Sequence, residues 1–380
     1  MKLDITTILF IASLVYATQT IALFMQFRFN KAYSGLGFWL LGSLSQAGGF
    51  FLMPLVNAKS VWFLSALANP LIVLGLLFLD AGAAAFLGKK ESGWFAAAAF
   101  IAFILPYFYF MLLRNSIFAR SILVDLATAA LSVKVACSLF RGKRDAFAGS
   151  AGFTASVFVA YALAQLAMTA VTVALPPLAS YADIYQRPIR AISFVVPIAV
   201  SMLWTFGFIL MINQRLNAES LEEKEKLRLI FEISPDAQLI TRLRDGSIVD
   251  VNSEFLSITG HSREDVIGNS IESLLTWANQ EDRQRYLSEL GEMESVRNRE
   301  FAFLRKDKSQ FVGMISGSKI MIDGQPHLIT VVQDITERRR SEERIGSLLS
   351  EKELILREVH HRIKNNMSTI CGLLSLQAGA

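Results

Sequence analysis

Cysteine is almost absent from this chain. Its 380 residues hold two, Cys137 and Cys371, far apart and without C-x-x-C spacing. That excludes a disulfide framework and a thiolate metal site. Histidine is nearly as scarce, at four, and no metal-ligand cluster is expected. Charged residues make up only 18%, and a net charge of +4 fits basic loops at a membrane better than a nucleic-acid surface. The G-x-x-x-x-G-K-[ST] phosphate cradle does not occur, so no P-loop nucleotide site is expected.

What is present is apolar bulk. Hydrophobic residues reach 53%, with 28 Phe, and the mean hydropathy is +0.41. The bias fills residues 1–213 and then stops, which implies two halves in two solvents. Seven apolar runs in the first half approach the roughly 20 residues that a spanning helix needs. They are Ile5–Met25, Ser34–Leu55, Val61–Leu79, Trp94–Leu113, Ile117–Phe140, Ala151–Leu175 and Ile189–Ile212. The first is too long for a signal peptide and is not followed by a clear cleavage site.

Arg28, Lys31, Lys89, Lys90, Arg141, Lys143 and Arg144 follow the odd-numbered runs. The other side carries the thinner set Lys2, Lys59, Arg114, Arg187 and Arg190. The positive-inside rule then puts the N-terminus outside and everything after residue 213 in the cytoplasm of a cell. Asp80, near the cytoplasmic end of the third run, and Asp125 and Lys134 in the fifth are rare intramembrane charges. An Asp80–Lys134 contact is expected, with a structural or a functional role. The last run has no lysine to hold retinal. Pro70, Pro106 and Pro197 interrupt runs without a repeat, which argues against a transporter.

Residues 214–232 are charged and helix-prone, reading as a connector helix with a thin apolar stripe. From 233 to 338 the pattern is two strands, short helices and three strands. Gln238–Leu243 and Ile248–Val251 flank the Asp245-Gly246 turn. Asn252 and Ser262 are helix starts, Gly260 and Gly268 are stops, and Ile271–Trp277 is a third helical candidate. Arg299–Leu304, Phe311–Lys319 and His327–Gln333 are strands, the last two joined at Asp323-Gly324.

This order resembles a PAS domain. The residues that carry the likeness are Ser234-Pro235-Asp236-Ala237, Ile248–Asn252, Thr259-Gly260, Val266-Ile267-Gly268 and the exit Asp334-Ile335-Thr336. The resemblance implies that Asp334 and Thr336 couple the last strand to the outgoing helix. No cysteine serves a flavin here. His261 and His327 are candidate haem ligands better explained as surface residues, so no cofactor is expected.

Residues 339–380 read as one helix. Ile345, Leu349, Leu356, Val359, Ile363, Met367, Ile370 and Leu374 recur at steps of three and four and form a stripe. At about 100° per residue, His360 falls roughly 55° from its centre and His361 roughly 155° away, facing water. A neutral imidazole is a nucleophile at physiological pH, and neighbouring cations suit phosphate oxygens.

The run His361-Arg362-Ile363-Lys364-Asn365 resembles the H-R-x-K-N phosphoacceptor box of HWE-type sensor histidine kinases. The resemblance implies that His361, rather than His360, takes the phosphate, with Arg362, Lys364 and Asn365 in support. It further implies a homodimer that pairs the stripes, and a response-regulator receiver as partner. The fold expected overall is a seven-span bundle, then an α/β PAS domain with an antiparallel sheet, then the first helix of a dimerisation and phosphoacceptor domain. The N-terminal region is also similar to bacterial membrane sensor modules through Leu3–Thr7, Trp39–Gly42 and Phe86–Gly88. The implied location is a bacterial inner membrane. ATP and Mg are expected for a catalytic domain whose motifs this sequence lacks, and a truncated form of a longer kinase is expected. The alternative is a non-catalytic receptor or phosphorelay acceptor.

Overall fold

A computed structural model describes residues 5–57, 66–89, 93–141, 145–175, 188–272, 274 and 276–378. Lys2, Leu3, Asp4, Lys59, Lys90, Lys143, Arg144 and Arg187, used above for sidedness and likeness, lie outside the described residues. The chain divides into two compact units, Met1–Leu221 and Glu222–Ala380.

The first unit is helical: α1 (Ile5–Phe29), α2 (Leu36–Leu52), α3 (Ala68–Phe86), α4 (Gly93–Leu112), α5 (Ile117–Arg141), α6 (Ala148–Ala174) and α7 (Pro188–Glu232). Seven helices among the described residues are long and apolar enough to cross a membrane. Outward apolar side chains such as Phe10, Leu105, Leu163 and Phe206 are more than half exposed. The polar groups turn inward instead: Gln19 donates to Ser201 (3.0 Å), and Gln165 to Thr128 (2.8 Å). Without water, such groups must find partners inside the bundle.

The third helix differs from its expected bounds. It runs seven residues beyond Leu79, to Phe86, so Asp80 lies within the helix instead of at its end. Pro70 sits in the first turn of this helix, where the missing amide removes no intrahelical bond. Asp80 is buried (2% exposed) and pairs with Lys134 of α5. Ser138 of α5 donates to its other carboxylate oxygen at 2.9 Å. Lys134 also lies over the Phe95 ring.

α2 and α3 pack antiparallel along a seam of small residues. Gly35, Gly42 and Gly49 recur every seven positions, as do Ala68, Gly75 and Gly82. A Cβ on Gly42 would stand 2.9 Å from the Gly75 carbonyl oxygen, and one on Gly49 would stand 2.7 Å from that of Ala68. Gly35 likewise abuts the Gly82 carbonyl. The pairs step in opposite directions, as antiparallel helices require, and the missing side chains let the backbones meet. Trp39 fills the adjacent space, stacked on Phe208 of α7 with ring centroids 4.0 Å apart.

The second unit contains a five-stranded antiparallel sheet in the order β2-β1-β5-β4-β3. Its strands are β1 (Ala237–Arg242), β2 (Ile248–Val251), β3 (Ser295–Leu304), β4 (Gln310–Ile322) and β5 (Gln325–Asp334). Alternation sets the inner face: Ala237, Leu239 and Thr241 of β1 are buried, and their intervening neighbours are less so. Asp323-Gly324 turns β4 into β5 with positive φ at both residues (49° and 73°), the hairpin geometry that this dipeptide favours.

Helices α8 (Ser253–Thr259), α9 (Arg263–Val266) and α10 (Gln280–Glu292) follow β2. Buried Asn252 caps α8 by accepting from Phe255 N (3.0 Å). The same side chain accepts from Gln238 N (2.8 Å) and donates to the Asp236 carbonyl (2.9 Å). One residue therefore joins the entry segment, β1 and the first helix. Ser262 and Asp265 form a capping box on α9. The helix expected at Ile271–Trp277 is not found among the described residues. The end of this segment pairs with β3 instead: Leu304 N donates to the Thr276 carbonyl (2.8 Å), and Ala278 N, just past it, to that of Ala302 (3.0 Å). The helix forms later, at α10, with Asn279 as its cap. Last comes α11 (Thr336–Ala378).

Candidate functional site

α11 starts where β5 ends, and three residues make the joint. The Asp334 carboxylate accepts from Thr336 N (2.9 Å), tying down one of the free amides at a helix start. The Thr336 hydroxyl accepts from Val312 N of β4 (2.9 Å), and Ile335 N donates to the Val312 carbonyl (2.9 Å). The helix is thereby stitched to the central strands at its first turn. Arg339, one turn on, pairs with Glu300 of β3.

Arg305, which the sequence reading passed over, completes the joint. Its guanidinium donates to the other Asp334 oxygen (2.7 Å) and to the carbonyl of Ile258 at the end of α8, while lying 4.6 Å above the Phe311 ring. Arg305 sits in β3's outgoing turn, 29 positions from Asp334, so no local pattern marks the contact. Ile258 also lines the apolar cavity between the helices and the sheet, with Leu239, Phe255, Trp277, Phe303 and Ile315. Cavity wall, Arg305, Asp334 and α11 thus form one bonded series.

Burial alone would raise the Asp334 pKa, but hydrogen bonds from Thr336 and the Arg305 guanidinium outweigh it and hold the carboxyl below its ordinary value. A depressed carboxylate stabilises the fold above its unfolded pKa, and that stability is lost as pH falls through the folded value. Asp334→Asn is therefore expected to lower the thermal midpoint of a 222–380 fragment at pH 7. The deficit relative to the parent should shrink below about pH 4, where the unfolded-state aspartate protonates. Melting curves between pH 7 and pH 3 measure this.

The two haem candidates are placed differently from expectation. His327 is not a surface residue: it is 6% exposed, and its Nδ1 lies 2.9 Å from the Gln325 carbonyl. It alternates along β5 with Leu328, Thr330 and Val332, which line the cavity, so it lies on the other face of the sheet, opposite Arg242 of β1 and Ile320 of β4. His261 is half-buried in the turn before α9. Burial and the nearby Lys306 push its pKa down. Neither ring is among the cavity-lining residues.

Along α11 the fold positions His361 by periodicity. The stripe residues Ile345, Leu349, Leu356, Val359, Ile363, Met367, Ile370 and Leu374 are 44–59% exposed in the single chain. They lie on one side and the His361 ring on the other. Asn365, one turn further, sets its amide nitrogen 3.3 Å from His361 Nδ1. Arg362 donates to Glu358 at 2.7 Å, an exposed i,i+4 pair of small energetic value. Lys364 has no ion-pair partner among the described residues. His360 is exposed on the flank of the stripe. The structure thus gathers His361, Arg362, Lys364 and Asn365 within about one turn. Thr336 starts the helix 25 positions before His361, roughly 37 Å at the helical rise, with Asp334 just ahead of it at the end of β5.

Comparisons with known proteins fall on these two regions. Residues 235–337 match the family model of the PAS domain, and residues 358–380 match a family model described as histidine kinase. A curated sensor histidine kinase, PdtaS of Mycolicibacterium smegmatis, is 48% identical over 48 residues, covering 13% of this chain and 9% of that protein. The match therefore spans less than a tenth of the curated relative. Among solved structures, the PAS domain of an HTR-like protein from Haloarcula marismortui is 26% identical. It covers 32% of this chain and 99% of that one, with a TM-score of 0.28. The LOV domain of a blue-light activated histidine kinase from Erythrobacter litoralis is 18% identical. It covers 27% of this chain and 98% of that one, with a TM-score of 0.25.

Proposed function

We propose that this chain, with its PAS domain and its histidine-kinase helix, is the sensing and phosphoacceptor part of a membrane-bound two-component kinase. His361 takes the phosphate. The observation that carries the reading is the exposed His361 ring held by Asn365 opposite an apolar stripe. The stripe seats the helix against a second copy and leaves the imidazole free.

In the transfer, a ring nitrogen lone pair attacks the γ-phosphorus of ATP held by a catalytic domain, the bond to ADP breaks, and a phosphoramidate forms. Asn365 serves either ring tautomer: its NH2 donates to a bare Nδ1, or its carbonyl, after the amide turns, accepts from Nδ1–H. The second arrangement leaves the Nε2 lone pair pointing outward. Lys364 and Arg362 offset phosphate charge, and the phosphoryl group moves on to an aspartate of a response-regulator receiver. Domain roles follow: residues 1–213 sense at a bacterial inner membrane with the N-terminus outside, 214–232 connect, 233–338 sense or relay, and 339–380 accept phosphate. No cofactor is assigned to these residues; ATP and Mg act at the catalytic domain.

Incubation with labelled ATP separates enzyme from acceptor. The 380-residue protein alone should remain unlabelled and should gain acid-labile label once a histidine-kinase catalytic domain is supplied. Labelling without that domain would make this chain an enzyme in its own right. No labelling in either case would remove the phosphoacceptor reading.

A further inference from the structure

At the point where α7 leaves the apolar bundle, its side chains are held by three other elements. Phe208, Met211 and Ile212 are fully buried. The next turn is polar. Gln214 accepts from Ser150 at the start of α6 (2.6 Å). Arg215 donates to the carbonyl of Phe86, the last residue of α3 (3.0 Å). Its guanidinium lies 4.6 Å above the Tyr33 ring and 5.2 Å above that of Phe86. Glu219 completes the arrangement, accepting from Arg215 Nε (2.9 Å) and from the Tyr33 hydroxyl in the α1–α2 loop. A cation on a helix's C-terminal carbonyl is favourable through both the hydrogen bond and the helix dipole, and the stacked rings shield it from water.

α3 is gripped a second time, six positions earlier, where Asp80 takes Lys134 and Ser138 of α5. One helix therefore bears a buried charge contact to α5 and a carbonyl contact to α7. Displacement of α3 cannot leave Arg215 where it is without breaking one of these contacts.

We propose that the Tyr33–Arg215–Glu219 clasp is the device through which α3, restrained by the Asp80–Lys134 pair, sets the position of α7 as it leaves the bundle. The clasp converts a change at a buried ion pair into a change on the helix that runs on to Glu232. This inference is independent of what His361 receives.

The test uses the full chain in phosphatidylethanolamine–phosphatidylglycerol nanodiscs, read by amide hydrogen exchange. Arg215→Ala should speed exchange over residues 213–221 by about tenfold, as expected for losing a charge-assisted hydrogen bond, with α2 and α3 unchanged. Arg215→Lys should fall between, because lysine keeps the charge and loses the planar fork. Unchanged exchange at 213–221, or equal acceleration throughout α2 and α3, would overturn the clasp. Ser138→Ala then tests transmission, since it weakens the hold on Asp80 without stranding a charge. It should speed exchange at 213–221 in the Arg215 protein and have no such effect in Arg215→Ala. An equal effect in both backgrounds, or none in either, would contradict the proposal.

Discussion

Replacing His361 by Gln is expected to reduce phosphate incorporation from ATP by at least about a hundredfold when a histidine-kinase catalytic domain is supplied. Glutamine keeps the length and polarity of the side chain but has no ring nitrogen with a nucleophilic lone pair. The helix should survive, since this ring is exposed and touches Asn365 at the helix surface. His360→Gln should retain most of the labelling. Its ring stands on the flank of the apolar stripe, where a partner helix would crowd it. Asn365→Ala should give an intermediate loss without unfolding, because Asn365 orients the His361 ring and does not itself react. Circular dichroism of each variant separates a chemical defect from a lost helix.

The second large effect lies in the bundle. Gly75→Leu should cost about 3 kcal/mol or more, the upper range for overpacking a filled interior. A Cβ there would meet the Gly42 carbonyl oxygen at 2.9 Å and Gln46 at 2.5 Å. The first of these is backbone and cannot swing aside. Gly149→Ala in α6 is the matched control: nothing lies within 4 Å of a Cβ at that site. Relieved of glycine's entropic cost, α6 should be unchanged or firmer by about 0.5–1 kcal/mol. Thermal unfolding in nanodiscs, followed by tryptophan fluorescence, compares the two. The seam predicts a loss at Gly75 and none at Gly149.

The strands of the second unit were legible because alternation and two Asp-Gly turns left little choice of register. The Asn252, Gly260 and Ser262 signals likewise marked helix ends through local hydrogen bonds and positive φ. What local pattern does not encode is where backbone groups are spent over distance. Ile271–Trp277 has the apolar content of a short helix, yet its end is drawn to β3, where the Thr276 carbonyl accepts from Leu304 N. The bounds of α3 were misplaced because apolar content alone does not mark where a helix begins and stops. Asp80 and Lys134 were recognisable as a pair because charges in spans are rare. Arg215 was not, since cations are ordinary just past a span and its partners are 129 and 182 positions away. Arg305 was missed for the same reason. On α11 the stripe and the His361 face followed from period alone. The Asn365 contact, one turn along, was open to inference from i,i+4 spacing.

The most direct measurement is the site of the acid-labile phosphate. The 380-residue protein, labelled from ATP by a supplied histidine-kinase catalytic domain, is digested at neutral pH and its peptides are sequenced by mass spectrometry. The account predicts phosphate on the His361 ring, with loss of the signal in His361→Gln. Phosphate on His360, or undiminished labelling of the His361→Gln protein, would contradict it.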